Sequence, residues 1–466
     1  MAGAPRARGS LEARATRDRF ARSILLPAQS FIHTEGIGSA ILLAAAVGAL
    51  VLANSPAAEG VRHLWDVKLT LDLAVVHVSE DIHHWVNDGL MALFFFVVGL
   101  EIKREVMFGA LTDRRKAALP AAAALGGMVV PALLFAALNF GSEGARGWGI
   151  PMATDIAFAV GALGLLGRRI PSELRVFLLA LAVVDDLGAI LVIALFYTGT
   201  VSVAALGWAA VILAVILLAR FAGVRSPGAF GVLGFLFWVA ILESGVHATL
   251  AGVILGLLVP AHHHYDDASA LALGRRLTAR LKRAVARSDH DDVEATLGAL
   301  EEVIVGTESP LERLERKMHP WTAFVVLPLF AFVNAGIPLS AERVTGALES
   351  PVVGGIILGL VVGKVVGVAG GAWLAARSRL GSLPEGVRWG QVVGVGLLAG
   401  VGFTVSLFVN ELAFTDPVLV GHAKVGILLS SLLAGALGML VLRVTTTPGP
   451  AGSDDVGPEA SSPPVR

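Results

Sequence analysis

Residues 178–194 read Leu178-Leu-Ala-Leu-Ala-Val-Val-Asp185-Asp186-Leu-Gly-Ala-Ile-Leu-Val-Ile-Ala194, and this stretch decides the fold. The apolar run around the two aspartates reaches the length of about 20 residues that crosses a bilayer. A charged residue at the centre of a membrane helix costs about 2.5–3.5 kcal/mol, and such residues usually face a polar cavity and handle protons or cations. We therefore expect the function to depend on Asp185 and Asp186.

The composition of the whole chain is that of a polytopic membrane protein. Of its 466 residues, 55% are hydrophobic and only 16% are charged. The mean hydropathy is +0.75, well above that of an ordinary soluble protein. The formal net charge of −1 gives no indication of nucleic-acid binding. Because the chain has no cysteine, disulfides, thiolate metal sites and a cysteine nucleophile are excluded.

Apolar stretches of suitable length predict an all-α protein with about twelve transmembrane helices. Most of the 36 lysines and arginines fall in alternate connections between these stretches. Since positive residues remain on the cytoplasmic side, both termini are expected in the cytoplasm. The predicted spans are 37–54, 85–107, 118–138, 150–167, 173–198, 202–220, 228–243, 246–259, 320–336, 351–376, 388–412 and 419–443.

The remaining segments predict a simple domain plan: a basic cytoplasmic segment at 1–36, spans one to eight at 37–260, a cytoplasmic insert at 261–319, spans nine to twelve at 320–444 and a disordered cytoplasmic tail at 445–466. The first segment is longer than the usual n-region of a signal peptide, so we expect it to remain in the mature chain. Within the insert, leucines and arginines recur at helical spacing. This pattern is typical of a helix on an anionic membrane surface, and equally of a solvated linker helix.

An external segment, residues 64–73, has the alternating pattern of a β-strand. Apolar Trp65, Val67, Leu69, Leu71 and Leu73 alternate with polar residues, which predicts a strand with one apolar face. Such a strand needs something to pack against. Pairing with a second subunit in a homodimer is one solution, and packing on the protein's own helices is the other.

Spans four and eleven both carry helix-breaking residues, at Gly149, Pro151 and Gly400-Val-Gly402. Spans three to five enter the membrane from the cytoplasm, whereas spans ten to twelve enter from outside. If the two triplets are structural repeats of each other, they are therefore inverted repeats. Interrupted helices at matching positions of inverted repeats indicate the binding site of a transporter. Ordinary packing of glycines between membrane helices is the alternative explanation.

Four ionisable groups are predicted deep in the membrane: Asp155, Asp185, Asp186 and Lys364. Because a broken helix leaves partial charges at its ends, Asp155 is expected to balance two positive ends and Lys364 two negative ends. Neighbouring residues on a helix point about 100° apart. Asp186 is therefore taken as the principal cation ligand, and Asp185 as either a second ligand or the partner of Lys364.

A hydroxyl oxygen from Thr154 can complete the site, since hard monovalent cations prefer oxygen ligands. A proton and a sodium ion then compete for the same carboxylates. Alternating exposure of this site to the two sides of the membrane produces exchange. If two protons are exchanged for one monovalent cation, net charge crosses in each cycle, and the membrane potential contributes about 2.3 kcal/mol per charge per 100 mV.

Three further residues are weaker candidates for pH response or gating. His247, near the outer surface, is either a pH sensor or a hydrogen-bonded structural histidine. Glu101 and Glu105, at the cytoplasmic end of span two, either attract cations or form ion pairs with Lys103 and Arg104.

The chain also resembles the NhaA family of bacterial sodium/proton antiporters. The similarity covers about residues 30 to 443 and rests on motifs in family order: Phe94-Phe-Phe-Val-Val-Gly-Leu-Glu-Ile-Lys-Arg-Glu105, Ala153-Thr-Asp-Ile-Ala-Phe158, Ala182-Val-Val-Asp-Asp-Leu-Gly-Ala-Ile190, Ser244-Gly-Val-His-Ala-Thr-Leu-Ala-Gly252, His319-Pro-Trp321, Leu327-Pro-Leu-Phe-Ala-Phe-Val-Asn-Ala-Gly336 and Gly402-Phe-Thr404. Any one of these motifs alone would be weak, whereas the combination is specific. The insert at 261–319 is longer than expected for the family.

The resemblance implies extrusion of Na⁺ or Li⁺ against proton entry, without a bound cofactor, with pH-dependent activity and commonly as a homodimer. It implies Asp185 and Asp186 as site carboxylates, and Asp155 and Lys364 as charges beside crossed, broken helices. It adds His319 to the residues expected in the pH response, and it supports the external strand region as a dimer contact.

Two rival functions have specific difficulties. An intramembrane aspartyl protease also uses two aspartates, but it needs one from each of two helices, and a buried lysine has no role in it. A transporter of the same fold for another substrate, such as potassium or an organic anion with sodium, is the stronger alternative. Ion competition in vesicles distinguishes it from sodium/proton exchange.

Overall fold

The computed structural model describes residues 26–73, 76–224, 226–262 and 267–446. Residues 1–25 of the predicted basic segment and 447–466 of the predicted tail lie outside the described residues. The helices are α1 Leu26–Ala53, α2 Ala58–Trp65, α3 Ile82–Phe108, α4 Arg114–Leu138, α5 Ile156–Leu166, α6 Ser172–Phe196, α7 Val203–Phe221, α8 Pro227–Leu242, α9 Thr249–Leu258, α10 Asp267–Ala286, α11 His290–Thr307, α12 Pro310–Trp321, α13 Leu327–Asn334, α14 Ala341–Glu349, α15 Pro351–Arg377, α16 Trp389–Ala399, α17 Phe403–Ala413 and α18 Pro417–Thr445.

Short segments of other helix types adjoin these helices. Residues Ala110–Thr112, Glu143–Met152 and Gly167–Arg169 are 3₁₀-helical, and π-helical turns occur at Trp85–Leu90, Thr322–Val326 and Leu358–Gly363. π-helical turns inside α-helices frequently lie at functional sites. The third one ends immediately before Lys364, which is one of the predicted site residues.

The protein is an all-α membrane protein, as the sequence predicts. Seven helices of the described chain are long and apolar enough to cross a membrane, or nine if each of two bent pairs is one span, and two shorter apolar helices are α8 and α9. A helix lies at each of the twelve predicted positions. The exact number of membrane crossings stays a prediction.

Burial distinguishes a central helix from a peripheral one. In α6, 61% of the residues in the most apolar window are buried inside the protein, compared with 11% in α7. Both helices are equally apolar in sequence, so their different burial reflects their neighbours: α6 packs among other helices, whereas α7 presents most of its side chains outward. Outward-facing apolar side chains suit a lipid environment. The helix that carries the two aspartates is thus enclosed by protein.

Both predicted helix breaks are present. The 3₁₀ segment Glu143–Met152 and α5 meet at 41°, and α16 and α17 meet at 46°. The two breaks touch, because the backbone N–H of Asp155 donates to the carbonyl of Val401 over 2.7 Å. At this crossing, a β-carbon on Gly400 would lie 2.1 Å from the Leu360 carbonyl oxygen. The close approach of the Leu360 backbone therefore requires glycine here.

The external strand prediction is confirmed in part. Strands β1 (Lys68–Leu73) and β2 (Val76–Asp81) form an antiparallel pair in which Lys68 is opposite Asp81. Residues 64–67 are not part of the strand, because α2 continues to Trp65 and a turn follows. The Trp65 ring packs edge-on against Phe332, with ring centroids 5.9 Å apart. This part of the segment thus packs on the protein's own helices.

The insert at 261–319 is helical wherever it is described, apart from short connections. The helix predicted within the insert from its leucines and arginines corresponds to α10, which packs against α11 as a helical hairpin. The third helix, α12, starts with a capping box formed by Ser309 and Glu312. This helix continues through a π-helical turn into α13, so the ninth predicted span extends a helix that begins in the insert.

Candidate functional site

The adjacent carboxylates of α6 point to different partners. The Asp185 and Asp186 residues are only 1% and 5% exposed, and the helix separates their directions by about 100°. The Asp185 carboxylate accepts hydrogen bonds from the Lys364 ammonium at 2.8 Å and 3.1 Å. Within the described part of the chain, no group lies within hydrogen-bond distance of the Asp186 carboxylate. Of the two roles left open for Asp185, this arrangement shows it as the partner of Lys364.

The Lys364 ammonium also donates to Thr154 Oγ1 at 2.9 Å, and this hydroxyl in turn donates to the Ala399 carbonyl at 2.8 Å. Ala399 is the last residue of α16, where unpaired carbonyls carry partial negative charge. The positive charge of Lys364 thus reaches a broken helix end through Thr154. In this arrangement, the Thr154 hydroxyl accepts a hydrogen bond from the lysine. Its predicted role as a cation ligand stays a prediction.

Asp155 lies between the starts of two helices. One of its oxygens accepts from the backbone N–H of Phe158 in α5 at 3.0 Å. Its other oxygen accepts from the backbone N–H and the hydroxyl of Thr404 in α17, at 3.1 Å and 2.6 Å. A carboxylate that caps two positive helix ends has the geometry expected for charge compensation. Its part in transport stays a prediction.

Asp186, Thr154 and Asp155 line a small cavity of about 40 Å³. A water molecule needs roughly 10–15 Å³ of such volume, so the cavity has room for about three waters or for a small ion with part of its hydration. The carboxyl groups of Glu101, Asp155 and Asp186 belong to its lining, whereas the Asp185–Lys364 pair does not, so the lining carries an excess of negative charge when all three are ionised. The polar residues that line the cavity are Glu101, Thr154, Asp155, Asp186, His319 and Thr404.

Glu101, one of the weaker candidates, and His319, which the family resemblance adds to them, meet at one wall of this cavity. The Glu101 carboxylate lies 3.8 Å from Nδ1 of His319, and both side chains are 13% exposed. The alternative for Glu101 was an ion pair with Lys103 or Arg104. In the structure, both basic residues have other partners. Lys103 donates to backbone carbonyls of Leu257 and Val259, and Arg104 forms a salt bridge with Glu315.

The other two weaker candidates lie away from the cavity. Glu105 accepts a hydrogen bond from the backbone N–H of Ala110 at 2.6 Å, just beyond the end of α3. The ring of His247 donates from Nε2 to the Tyr197 carbonyl at 2.7 Å, which is the structural arrangement considered as its alternative. Neither geometry tests a role in pH response, so that role stays a prediction for both residues.

Sequence reasoning missed one contact of the site and one salt bridge outside the cavity lining. Thr404 was identified only within a family motif, although its position two residues after Gly402, at the start of a broken half-helix, resembles that of Asp155 after Pro151. Glu315 is 6% exposed and pairs with an arginine 211 positions away. Nothing local in its sequence distinguishes it from the other charges of α12.

Comparison of the sequence with known proteins identifies the family. A sequence model described as Na⁺/H⁺ antiporter 1 matches residues 29–442, which is most of the chain. The chain belongs to this Na⁺/H⁺ antiporter family. Its crossed helix breaks, paired aspartates and buried lysine lie within the matched region.

Relatives with nearly full-length similarity carry the NhaA name. The chain is 45% identical to Na(+)/H(+) antiporter NhaA 2 of Syntrophotalea carbinolica over 419 residues, which cover 89% of this chain and 96% of the relative. It is 44% identical to Na(+)/H(+) antiporter NhaA of Escherichia coli O1:K1 / APEC over 422 residues, which cover 90% and 98%. Membership of this antiporter family identifies a membrane transporter rather than a catalytic enzyme.

Proposed function

We propose that the protein exchanges cytoplasmic Na⁺ or Li⁺ for external protons across the bacterial plasma membrane by alternating access. One observation carries this proposal: the buried Asp186 carboxylate lines a small cavity and has no hydrogen-bonding partner in the described chain. A buried carboxylate must take up either a proton or a cation, because an isolated charge is strongly disfavoured in an apolar interior. Both species therefore compete for the same oxygens.

The Asp185–Lys364 pair supplies a second group for proton exchange. A cation that recruited Asp185 as a ligand would leave the Lys364 ammonium without its counter-charge, and an uncompensated buried charge costs about 3–5 kcal/mol. Release of the lysine proton removes that cost. Together with the proton on Asp186, this gives two protons for one cation, so the exchange moves net charge and responds to the membrane potential.

Family membership and the site chemistry support this proposal over a different substrate. The site offers carboxylate and hydroxyl oxygens, which suit a small hard cation, and its volume of about 40 Å³ leaves little space for an organic anion. The proposed exchange contributes to pH and sodium homeostasis. We also propose cytoplasmic termini and a homodimer in which the strand pair β1–β2 contacts the partner.

Proton-flux measurements in everted membrane vesicles test the proposal. Adding Na⁺ or Li⁺ to respiring vesicles should collapse the pH gradient for the wild type, whereas K⁺ should not. Asp186→Asn should abolish the response. Asp416→Asn is the matched control, because Asp416 is an exposed N-cap of α18 and asparagine caps as well. Equal responses to K⁺ and Na⁺, or a normal response in Asp186→Asn, would rule out the proposed exchange.

Electrogenicity needs a separate measurement in proteoliposomes. Imposing a membrane potential with K⁺ and valinomycin should change the rate of Na⁺-driven proton movement if two protons move per cation. A rate that is indifferent to the potential would show electroneutral exchange.

A further inference from the structure

Three side chains with metal-binding atoms meet where the strand pair joins α3. Asp81 is the last residue of β2, and His83 and His84 lie in the first turn of α3. One ligand atom from each lies within 4.8 Å of the other two. The group lies on the predicted external side, and none of the three residues lines the cavity around Asp186. We propose that Asp81, His83 and His84 bind a transition-metal dication of the Zn²⁺ class.

The donor set selects the class of ion. Two imidazoles and one carboxylate suit Zn²⁺, which accepts nitrogen and oxygen ligands at about 2.0–2.2 Å, whereas Mg²⁺ and Ca²⁺ prefer oxygen alone. Ligand atoms around a tetrahedral Zn²⁺ are about 3.3 Å apart by the same distances. The Asp81 carboxylate and the His84 ring already lie side by side, since Oδ1 of Asp81 is 2.8 Å from Nδ1 of His84. The His83 ring supplies the third protein ligand, within the 4.8 Å that spans the three ligand atoms, and water is the expected fourth ligand of a tetrahedral ion.

The backbone fixes two of the ligands before any ion binds. Oδ1 of Asp81 accepts a hydrogen bond from the backbone N–H of His84 at 2.8 Å and so caps α3. Both hydrogen bonds of Asp81 in the structure use this oxygen, so Oδ2 remains for an ion. Capping holds the aspartate beside the histidines, which reduces the conformational entropy lost when an ion binds.

Exposure and charge favour a dication at this place. The side chains of Asp81 and His84 are 27% and 56% exposed, so an ion can reach them from solvent. Glu80 and Asp88 act electrostatically on His84. On the other side of the cluster, Glu411 acts on His83 and is itself paired with Lys424 at 2.8 Å. The surroundings therefore carry more negative than positive charge and attract a cation.

This site is independent of the proposed exchange and can be tested without measuring transport. The test is isothermal titration of the purified, tag-free protein with ZnCl₂. Because His262, His263 and His264 form a run that could bind zinc by itself, all variants should be made on a background with glutamine at these three positions. On this background, we expect one Zn²⁺ per chain and no detectable heat of binding with MgCl₂.

Single substitutions then separate the cluster from other histidines. Asp81→Asn, His83→Gln and His84→Gln should each weaken Zn²⁺ binding at least tenfold, as expected for loss of a ligand. His63→Gln is the matched control, since His63 is an exposed histidine of α2 in the same external region, and it should leave the affinity unchanged. His84→Cys should retain binding, because a thiolate also ligates zinc.

Two results would overturn the proposal. One is a Zn²⁺ affinity that His83→Gln or His84→Gln leaves unchanged from the background protein, or a loss of affinity in His63→Gln as large as the loss in these variants. The other is X-ray absorption of the zinc-loaded background protein showing only oxygen ligands around the ion. This second measurement needs no variant at the cluster, so it decides the question even if a substitution impairs folding. Two imidazole ligands in that spectrum would support the proposal.

Discussion

Breaking the Asp185–Lys364 pair should destabilise the protein more than removing both charges together. Lys364→Met leaves a carboxylate that is 1% exposed without the ammonium that now lies 2.8 Å away. An uncompensated buried charge of this kind costs about 3–5 kcal/mol, whereas replacing both members of a buried pair by neutral groups is often close to neutral. Asp185→Asn/Lys364→Met should therefore recover much of the stability that either single change loses.

The expected size of the effect on melting can be estimated from the chain length. Unfolding entropy is about 2.1 cal/mol/K per residue, so for a chain of 466 residues 1 kcal/mol corresponds to roughly 1 °C. Lys364→Met should thus unfold about 3–5 °C below the wild type, measured by gel filtration of detergent-solubilised protein after heating at a series of temperatures. The reasoning fails if Lys364→Met melts with the wild type, or if the double variant melts below both single variants.

Three substitutions and one change of pH have defined outcomes in the same melting assay. Asp155→Asn removes a charge that caps two helix starts and should lower stability by about 2–4 kcal/mol; no loss would contradict that role. Gly367→Ala places a β-carbon 2.1 Å from the Gly126 carbonyl and should impair folding, whereas Gly370→Ala, with open space around it, should not; equal behaviour of these two variants would contradict the packing. Burial raises the pKa of Glu315 above 4.5, and its neighbouring arginine offsets this only in part.

The sign of this last effect follows from proton linkage. A carboxyl group whose pKa is higher in the folded protein contributes stability below its unfolded pKa of about 4.5 and loses it as the pH rises through the folded pKa. The wild type should therefore lose more stability than Glu315→Gln as the pH is raised above about 4.5. Parallel stability curves for the two proteins would contradict the assignment.

The sequence predicts those features that have a local physical signature. Asp185, Asp186 and Lys364 are recognisable because charges are rare in apolar segments, and the two helix breaks because proline and glycine interrupt them. The strand β1 is recognisable from its alternation, although the pattern extends back to Trp65. That residue belongs to α2 in the structure, since its ring packs against Phe332 and tertiary packing overrides a short pattern.

Contacts between distant parts of the chain have no such signature. The choice of Asp185 rather than Asp186 as the partner of Lys364 depends on how α6 and α15 rotate against each other. The link from Thr154 to the end of α16 spans 245 positions, and no spacing rule connects them. The same holds for the salt bridge between Arg104 and Glu315, which only packing of α12 on α3 brings together.

Competition between Na⁺ and H⁺ for Asp186 is most directly tested by calorimetric titration of the purified protein with NaCl in buffers of different ionisation enthalpy, which reports proton release on ion binding. The wild type should release protons as Na⁺ binds, and Asp186→Asn should show neither binding nor release. Sodium binding without proton release, or the same release from Asp186→Asn as from the wild type, would contradict the account.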